Sequence, residues 1–196
     1  MALQEYRPLI VRSNRTLGSL LLEKKLVTSD QLDSANEKLI ECLDKEDLRR
    51  ASILHVLIFD LQVLNEDAYL EAVVEKFGLS LMDLHSCQFK KVAELALDPT
   101  ACWATWTIPF DIVDDFYLLA TVHYPSPQVV KFWQDKFPGK HIIWYALTIR
   151  SFQAGMEKLE QVKVEATRAA EAAAAKAAKT GAKPSSGTKS PHPAKK

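Results

Sequence analysis

Residues 17–30 read Leu17-Gly18-Ser19-Leu20-Leu21-Leu22-Glu23-Lys24-Lys25-Leu26-Val27-Thr28-Ser29-Asp30, and the pattern returns in degenerate form from Leu54. A shift of 37 positions pairs Leu17 with Leu54, Leu26 with Val63 and Thr28 with Asn65. Apolar positions and helix-capping residue types are kept while polar positions vary. This is the pattern of one helix–turn–helix unit used twice, so the first part of the chain is predicted to be a four-helix repeat.

The helices of this repeat are bounded by capping signals. Residues 1–14 are predicted to be an irregular arm, with Ser13 or Thr16 capping a first helix that ends near Lys25. Thr28-Ser29-Asp30-Gln31 forms a capping box, which predicts a second helix to about Leu43. A third helix is expected over 51–61. A fourth is expected to start at Asn65 and to stop at Gly78.

A second pattern begins after the repeat. Residues 79–84 suggest an extended connector, and residues 89–97 a short helix. Apolar runs at 108–113 and 116–122, separated by Asp114-Asp115, predict a β-hairpin. A helix over 126–136, a strand over 141–147 and a helix over 148–159 complete a β-β-α-β-α unit, with helices expected on one face of the sheet.

The predicted fold class is therefore α+β: a four-helix lobe packed on a small β-β-α-β-α lobe. The expected domains are residues 1–84, residues 85–160 and a tail over 161–196. The tail is Ala-rich from Gln161, which predicts a frayed helix, and the composition of residues 180–196 predicts disorder.

Charge is unevenly distributed, although the net charge is zero. Residues 161–196 carry eight basic and two acidic side chains, which leaves a net charge of −6 on residues 1–160. The acidic body gives no reason to expect nucleic-acid binding, and the basic tail is suited to weak contact with acidic surfaces. Three cysteines without close spacing, no signal-peptide layout and no long apolar run favour a cytoplasmic protein without a membrane span.

The order of motifs resembles the N-terminal domain of type II secretion and type IV pilus assembly ATPases, the MshE and GspE N-terminal type. The family motif of Arg-Leu-Gly, aliphatics, Gly, Thr or Ser, Leu, Ala and Gln is matched by Thr16-Leu17-Gly18, Leu26-Val27-Thr28, Leu32 and Ala35. The exit of the second unit, Phe77-Gly78-Leu79-Ser80-Leu81-Met82-Asp83-Leu84, is also similar. The resemblance covers about residues 14–160. It implies a module that docks on a partner of a secretion or pilus machine.

One branch of that family binds cyclic-di-GMP through its twin motifs. Carried over position by position, the resemblance implies Arg15, Leu17, Gly18 and Leu32 as nucleotide-contacting residues. The chain departs from the motif elsewhere: Thr16 stands at the first Arg position, Lys25 at the inner Gly and Leu39 at the Gln. In the second unit the Arg-Leu-Gly corner reads Ile53-Leu54-His55. A cyclic-di-GMP receptor with a degenerate motif is therefore the alternative to a protein-docking module.

No enzymatic activity is predicted. The phosphate-binding motif G-x-x-x-x-G-K-[ST] of the ATPases does not occur in the sequence, and neither a cofactor nor a metal site is expected. Trp103 and Trp106, with Phe110, form an aromatic group before the first predicted strand. Two interpretations stay open for this group: a packing seam between the two lobes, or a partner-binding patch.

Overall fold

The structure is a computed structural model that describes residues 2–95 and 97–180. The helices are α1 (Ala2–Glu23), α2 (Ser29–Asp44), α3 (Ile53–His55), α4 (Glu66–Phe77), α5 (Lys90–Ala93), α6 (Pro99–Thr105), α7 (Pro127–Lys136) and α8 (Ile149–Thr180). The strands are β1 (Ser80–Leu81), β2 (Thr107–Val113), β3 (Phe116–Thr121) and β4 (His141–Ala146). The α+β fold class is confirmed, with the helical repeat first and the sheet after it.

The capping signals of the repeat are confirmed at α2 and α4. The Thr28 hydroxyl accepts from the Gln31 amide at 3.3 Å, and the Gln31 side chain accepts from the Thr28 amide at 2.9 Å. Asn65 accepts from the Ala68 amide at 3.1 Å, and Gly78 ends α4 at a φ of 63°. The second helix of each unit therefore starts at equivalent positions of the repeat.

The predicted irregular arm over residues 1–14 is wrong, because α1 begins at Ala2. Tyr6 and Ile10 are buried on the core side of the helix, and this burial stabilises the early turns despite Pro8. Pro8 lies in the second turn, where it removes only one helical hydrogen bond. Ser13 and Thr16 are not caps: their hydroxyls donate to the carbonyls of Ile10 and Arg12 inside the helix.

The third predicted helix is present but irregular. Ser52 caps it by accepting from the Leu54 and His55 amides at 3.1 and 3.4 Å. After one α-helical turn the chain continues as a π-helix over Val56–Asp60. At the end of this π-helix, the two carboxylate oxygens of Asp60 accept from Arg50 at 2.7 Å.

The sheet has the strand order β1-β4-β3-β2 within the described residues. The predicted hairpin is confirmed: β2 and β3 pair antiparallel, with a bulge between Pro109 and Asp111. β3 and β4 pair parallel across α7, as do β1 and β4. The connector predicted over 79–84 thus contains an edge strand, and β1 lies before residue 84 although it pairs within the sheet of the second lobe.

Two further details of the second lobe differ from prediction. The helix expected over 89–97 spans only Lys90–Ala93, and α6 follows, capped by Asp98, which accepts from the Thr100 amide at 2.9 Å. Helices also cover both faces of the sheet, not one. Tyr117 packs on Phe137 at the end of α7, whereas Ile108, on the opposite face, lies against Gly155 of α8.

α8 unites the predicted closing helix with the predicted Ala-rich helix in one element. Its first half is buried through Phe152, Met156 and Leu159, and its side chains beyond Val164 are exposed as far as they are described. The predicted disorder concerns residues that, apart from Thr180 at the end of α8, lie outside the described part of the chain. None of the helices within residues 2–95 and 97–180 is long and apolar enough to cross a bilayer.

Candidate functional site

The predicted nucleotide residues lie where α1 and α2 pack against each other. A Cβ placed on Gly18 would lie 3.0 Å from Leu32 Cδ1 and 3.5 Å from Ile53 Cδ1, so glycine permits a close approach of the two helices here. Arg7 forms an ion pair with Asp44 at 2.8 Å, nearer the other end of α2. These two contacts show that α1 and α2 run antiparallel.

Helical periodicity defines the surface along this contact. Val11, Arg15 and Leu22 share the side of α1 that carries Gly18, and Asn36 and Ile40 share the side of α2 that carries Leu32. We call this set, Val11, Arg15, Gly18, Leu22, Leu32, Asn36 and Ile40, the α1–α2 seam. Since the helices are antiparallel, Val11 lies level with Ile40 between the Arg7–Asp44 and Gly18–Leu32 contacts.

The four predicted residues separate into two groups. Arg15 is exposed, Leu32 is half-buried, and Gly18 is buried beneath Leu32, so these three belong to one surface region. Leu17 has no exposed area and packs in the hydrophobic core. Residues 15–18 lie in the interior of α1, where backbone amides bond to carbonyls four residues earlier. A ligand at this place would therefore meet side chains of the seam, with the main chain already engaged.

Three aliphatic side chains are exposed along the seam. The exposed fraction is 39% for Val11, 38% for Leu22 and 43% for Ile40. Each lies on an otherwise well-formed amphipathic helix whose opposite side is buried. A run of exposed aliphatic side chains that share one helix contact is a feature of interaction surfaces.

Trp103 and Trp106 lie in the core. Trp106 is fully buried and stacks on Phe152 of α8 at 5.2 Å, and Trp103 meets both rings edge to face. Trp103 retains only 6% of its area, and its Nε1 donates to Glu160 at 3.1 Å. Of the two interpretations given above for this aromatic group, packing between the two lobes agrees with the burial. The indole rings present almost no surface to a partner.

A buried polar link joins the lobes and involves a residue that sequence analysis did not select. Ser52 Oγ, which also caps α3, forms a hydrogen bond of 2.8 Å with Nε2 of His123. Burial lowers the pKa of His123 to about 3. Both side chains are at most 2% exposed, so no substrate reaches this Ser–His pair. The capping position of Ser52 was the only local signal for its role.

Outside the Ser52–His123 pair, titratable side chains can provide a site in two ways, as metal ligands or as a reactive thiol. Within the described residues no group of three or more His, Cys, Asp or Glu side chains is placed to hold a metal ion. Burial raises the pKa of the Cys102 thiol, which lies in the core and is therefore less reactive than a free thiol.

Comparison with solved structures identifies similar domains. A structure of MshE with cdg has a TM-score of 0.46 and 17% identity, and the match covers 73% of this chain and 97% of that one. The N-terminal domain of XpsE, in two crystal forms, has TM-scores of 0.45 and 0.43 at 14% identity. Those matches cover 70% and 74% of this chain and 90% and 94% of theirs.

No family model and no curated protein matches the chain.

Proposed function

We propose that this chain is a non-catalytic docking module related to the N-terminal domains of secretion and pilus ATPases. By the sequence resemblance, its partner is a cytoplasmic protein of a type II secretion or type IV pilus machine. The α1–α2 seam is the contact surface. This places binding on the repeat, the part of the chain that carries the family motif.

The exposed aliphatic side chains of the seam carry this proposal. Val11, Leu22 and Ile40 are accessible on two helices whose core-facing sides are packed. Burying such side chains against a partner stabilises a complex by roughly 25 cal/mol per Å² of apolar area removed from water. An interaction surface of this kind needs no catalytic group.

A photocrosslinking amino acid at position 40 tests the proposal in cells that express the native machine. We expect it to capture a protein of the secretion or pilus apparatus, identified by mass spectrometry. The matched control is position 164, because Val164 is an aliphatic residue on α8 with 50% exposure. Equal products at both positions, or capture only of unrelated proteins at position 40, would contradict the proposal.

Cyclic-di-GMP binding is the second candidate function, and Arg15 is the observation that favours it. Its side chain is exposed one turn before Gly18, and within the described residues its guanidinium has no ion-pair partner. A free guanidinium suits a phosphate or a guanine edge. Calorimetric titration of cyclic-di-GMP into the full chain tests this. Binding that is lost in Arg15→Ala supports a receptor, and binding that Arg15→Ala retains removes Arg15 from the site.

A further inference from the structure

The outer border of the seam on α2 is acidic. Asp33, Glu37 and Glu41 each follow a seam residue by one position, and all three are exposed. Their spacing of four residues aligns them in a row beside Leu32, Asn36 and Ile40. Residues 29–47 contain seven acidic and two basic side chains. The net charge of residues 29–47 is therefore −5, and the acidic side chains of Asp33, Glu37 and Glu41 lie next to the exposed apolar seam.

The border on α1 has the opposite sign. Arg15 lies on the seam, and Arg12 is exposed one turn earlier on the same helix. Asp33 and Glu37 have no ion-pair partner within the described residues, so their charge is available to a ligand. The seam is thus an apolar strip with a negative edge along α2 and two exposed arginines on one turn of α1.

We propose that the seam binds a helix of the partner protein with aliphatic side chains along one face and Lys or Arg along the edge that meets α2. This inference rests on the proposed docking function and specifies its partner. Val11 and Leu22 are eleven positions apart on α1, which corresponds to about 16 Å along a helix. A partner helix of about three turns matches this length and contacts both helices of the seam.

The charges determine which helix binds and in which direction. Exposed ion pairs contribute only about 0.2–1 kcal/mol each, so the aliphatic contacts supply most of the affinity. The acidic row repels a helix with Asp or Glu along the same edge, and this repulsion discriminates against incorrect partners. The two unlike edges make one orientation of the partner helix more favourable than its reverse.

Two synthetic helical peptides of about 20 residues test the proposal. Both have the same Leu face and Gln along one edge, and the other edge carries Lys in one peptide and Glu in the other. Fluorescence anisotropy with the full chain is expected to give at least tenfold tighter binding of the Lys-edge peptide at about 50 mM salt. The preference should largely disappear at about 500 mM salt, because the screening length falls below the distance between exposed charges.

A charge reversal on α2 supplies the decisive variant. Asp33→Lys with Glu37→Lys is expected to invert the preference, so that the Glu-edge peptide binds more tightly. The matched control is Glu71→Lys with Glu75→Lys, because these exposed side chains have the same spacing on α4, the equivalent helix of the second repeat. The control should retain the preference for the Lys-edge peptide.

Ile40→Asp is expected to weaken the binding of both peptides, because it places a charge in the apolar strip. Equal affinity for the two peptides, binding of neither, or the same inversion by the α4 control overturns the inference. Concentration-dependent sedimentation of the full chain that Ile40→Asp abolishes also overturns it, since a second copy would then occupy the seam. If position 40 still crosslinks a secretion or pilus protein in any of these cases, the docking function stands and only the partner chemistry is wrong.

Discussion

Ser52 Oγ and Nε2 of His123 share a hydrogen bond of 2.8 Å, and this buried bond connects the start of α3 to the chain just after β3. The same serine caps α3. Ser52 is therefore one of the side chains that connect the second unit of the repeat to the sheet, together with Tyr69, whose hydroxyl donates to the Val122 carbonyl at 3.2 Å.

Acid should destabilise the protein through His123. Its pKa is about 3 in the folded state because of burial, and about 6.5 in an unfolded chain. As the pH falls below 6.5 the unfolded chain binds a proton that the folded protein does not, so the free energy of unfolding decreases. We expect the free energy of unfolding to fall by about 2 kcal/mol between pH 7 and pH 5 because of this group.

Urea denaturation of wild type and His123→Gln at several pH values tests this assignment. The free energy of unfolding should depend less on pH in the variant, since glutamine keeps a polar atom near Ser52 but does not titrate. Identical pH dependence in the two proteins would contradict this assignment.

Leu17 and Arg15 should differ in their effect on stability. Leu17→Ala is expected to cost about 2–5 kcal/mol, because the side chain is wholly buried and its removal leaves a cavity. Arg15→Ala should change the free energy of unfolding by less than about 0.5 kcal/mol, because the side chain is exposed. Guanidinium denaturation of both variants measures the difference. A large loss in Arg15→Ala would mean that this arginine has a structural contact.

The two helical glycines at close contacts should respond differently to alanine. At Gly155 a Cβ would lie 2.7 Å from Leu84 Cδ1, and Leu84 is only 2% exposed, so we expect Gly155→Ala to cost about 1–3 kcal/mol. At Gly18 the nearest atoms are the end methyls of half-buried Leu32, which can shift outward. The gain in helix propensity, close to 1 kcal/mol, should then leave Gly18→Ala nearly neutral. Thermal unfolding of the two variants tests the order, and a larger loss at Gly18 would show that Leu32 cannot move.

Trp103 should behave as a core residue whose indole ring is covered by the guanidinium of Arg49. The Arg49 guanidinium lies 5.2 Å from the indole centre and 3.3 Å from Glu160. Trp103→Ala is expected to cost about 3–5 kcal/mol, since it removes a large buried side chain. Arg49→Ala should cost no more than about 1 kcal/mol, because the guanidinium is more than half exposed. Chemical denaturation measures both, and a Trp103→Ala variant of unchanged stability would reopen the interpretation of this residue as a partner contact.

The candidate site was predictable only in part. The resemblance selected Arg15, Gly18 and Leu32. The structure places Gly18 against Leu32, and Arg15 lies one turn earlier on α1. The burial of Leu17 follows from the neighbours of α1, which the motif does not describe. The exposed aliphatic strip at Val11 and Ile40 was also not predicted, since the sequence alone does not distinguish an exposed aliphatic residue from a buried one.

The sequence by itself determined the elements whose signals are local. The repeat, the Thr28 and Asn65 caps, the Gly78 stop and the hairpin at Asp114 depend on residues a few positions apart, so neighbouring side chains were enough. Tertiary structure alone decided that the chain is helical from Ala2 through Pro8, that β1 joins the sheet, that helices cover both faces and that Trp106 is buried. In each of these cases burial against residues distant in sequence outweighs the local conformational preference. A pattern of neighbouring residues does not reveal the free energy of such long-range contacts.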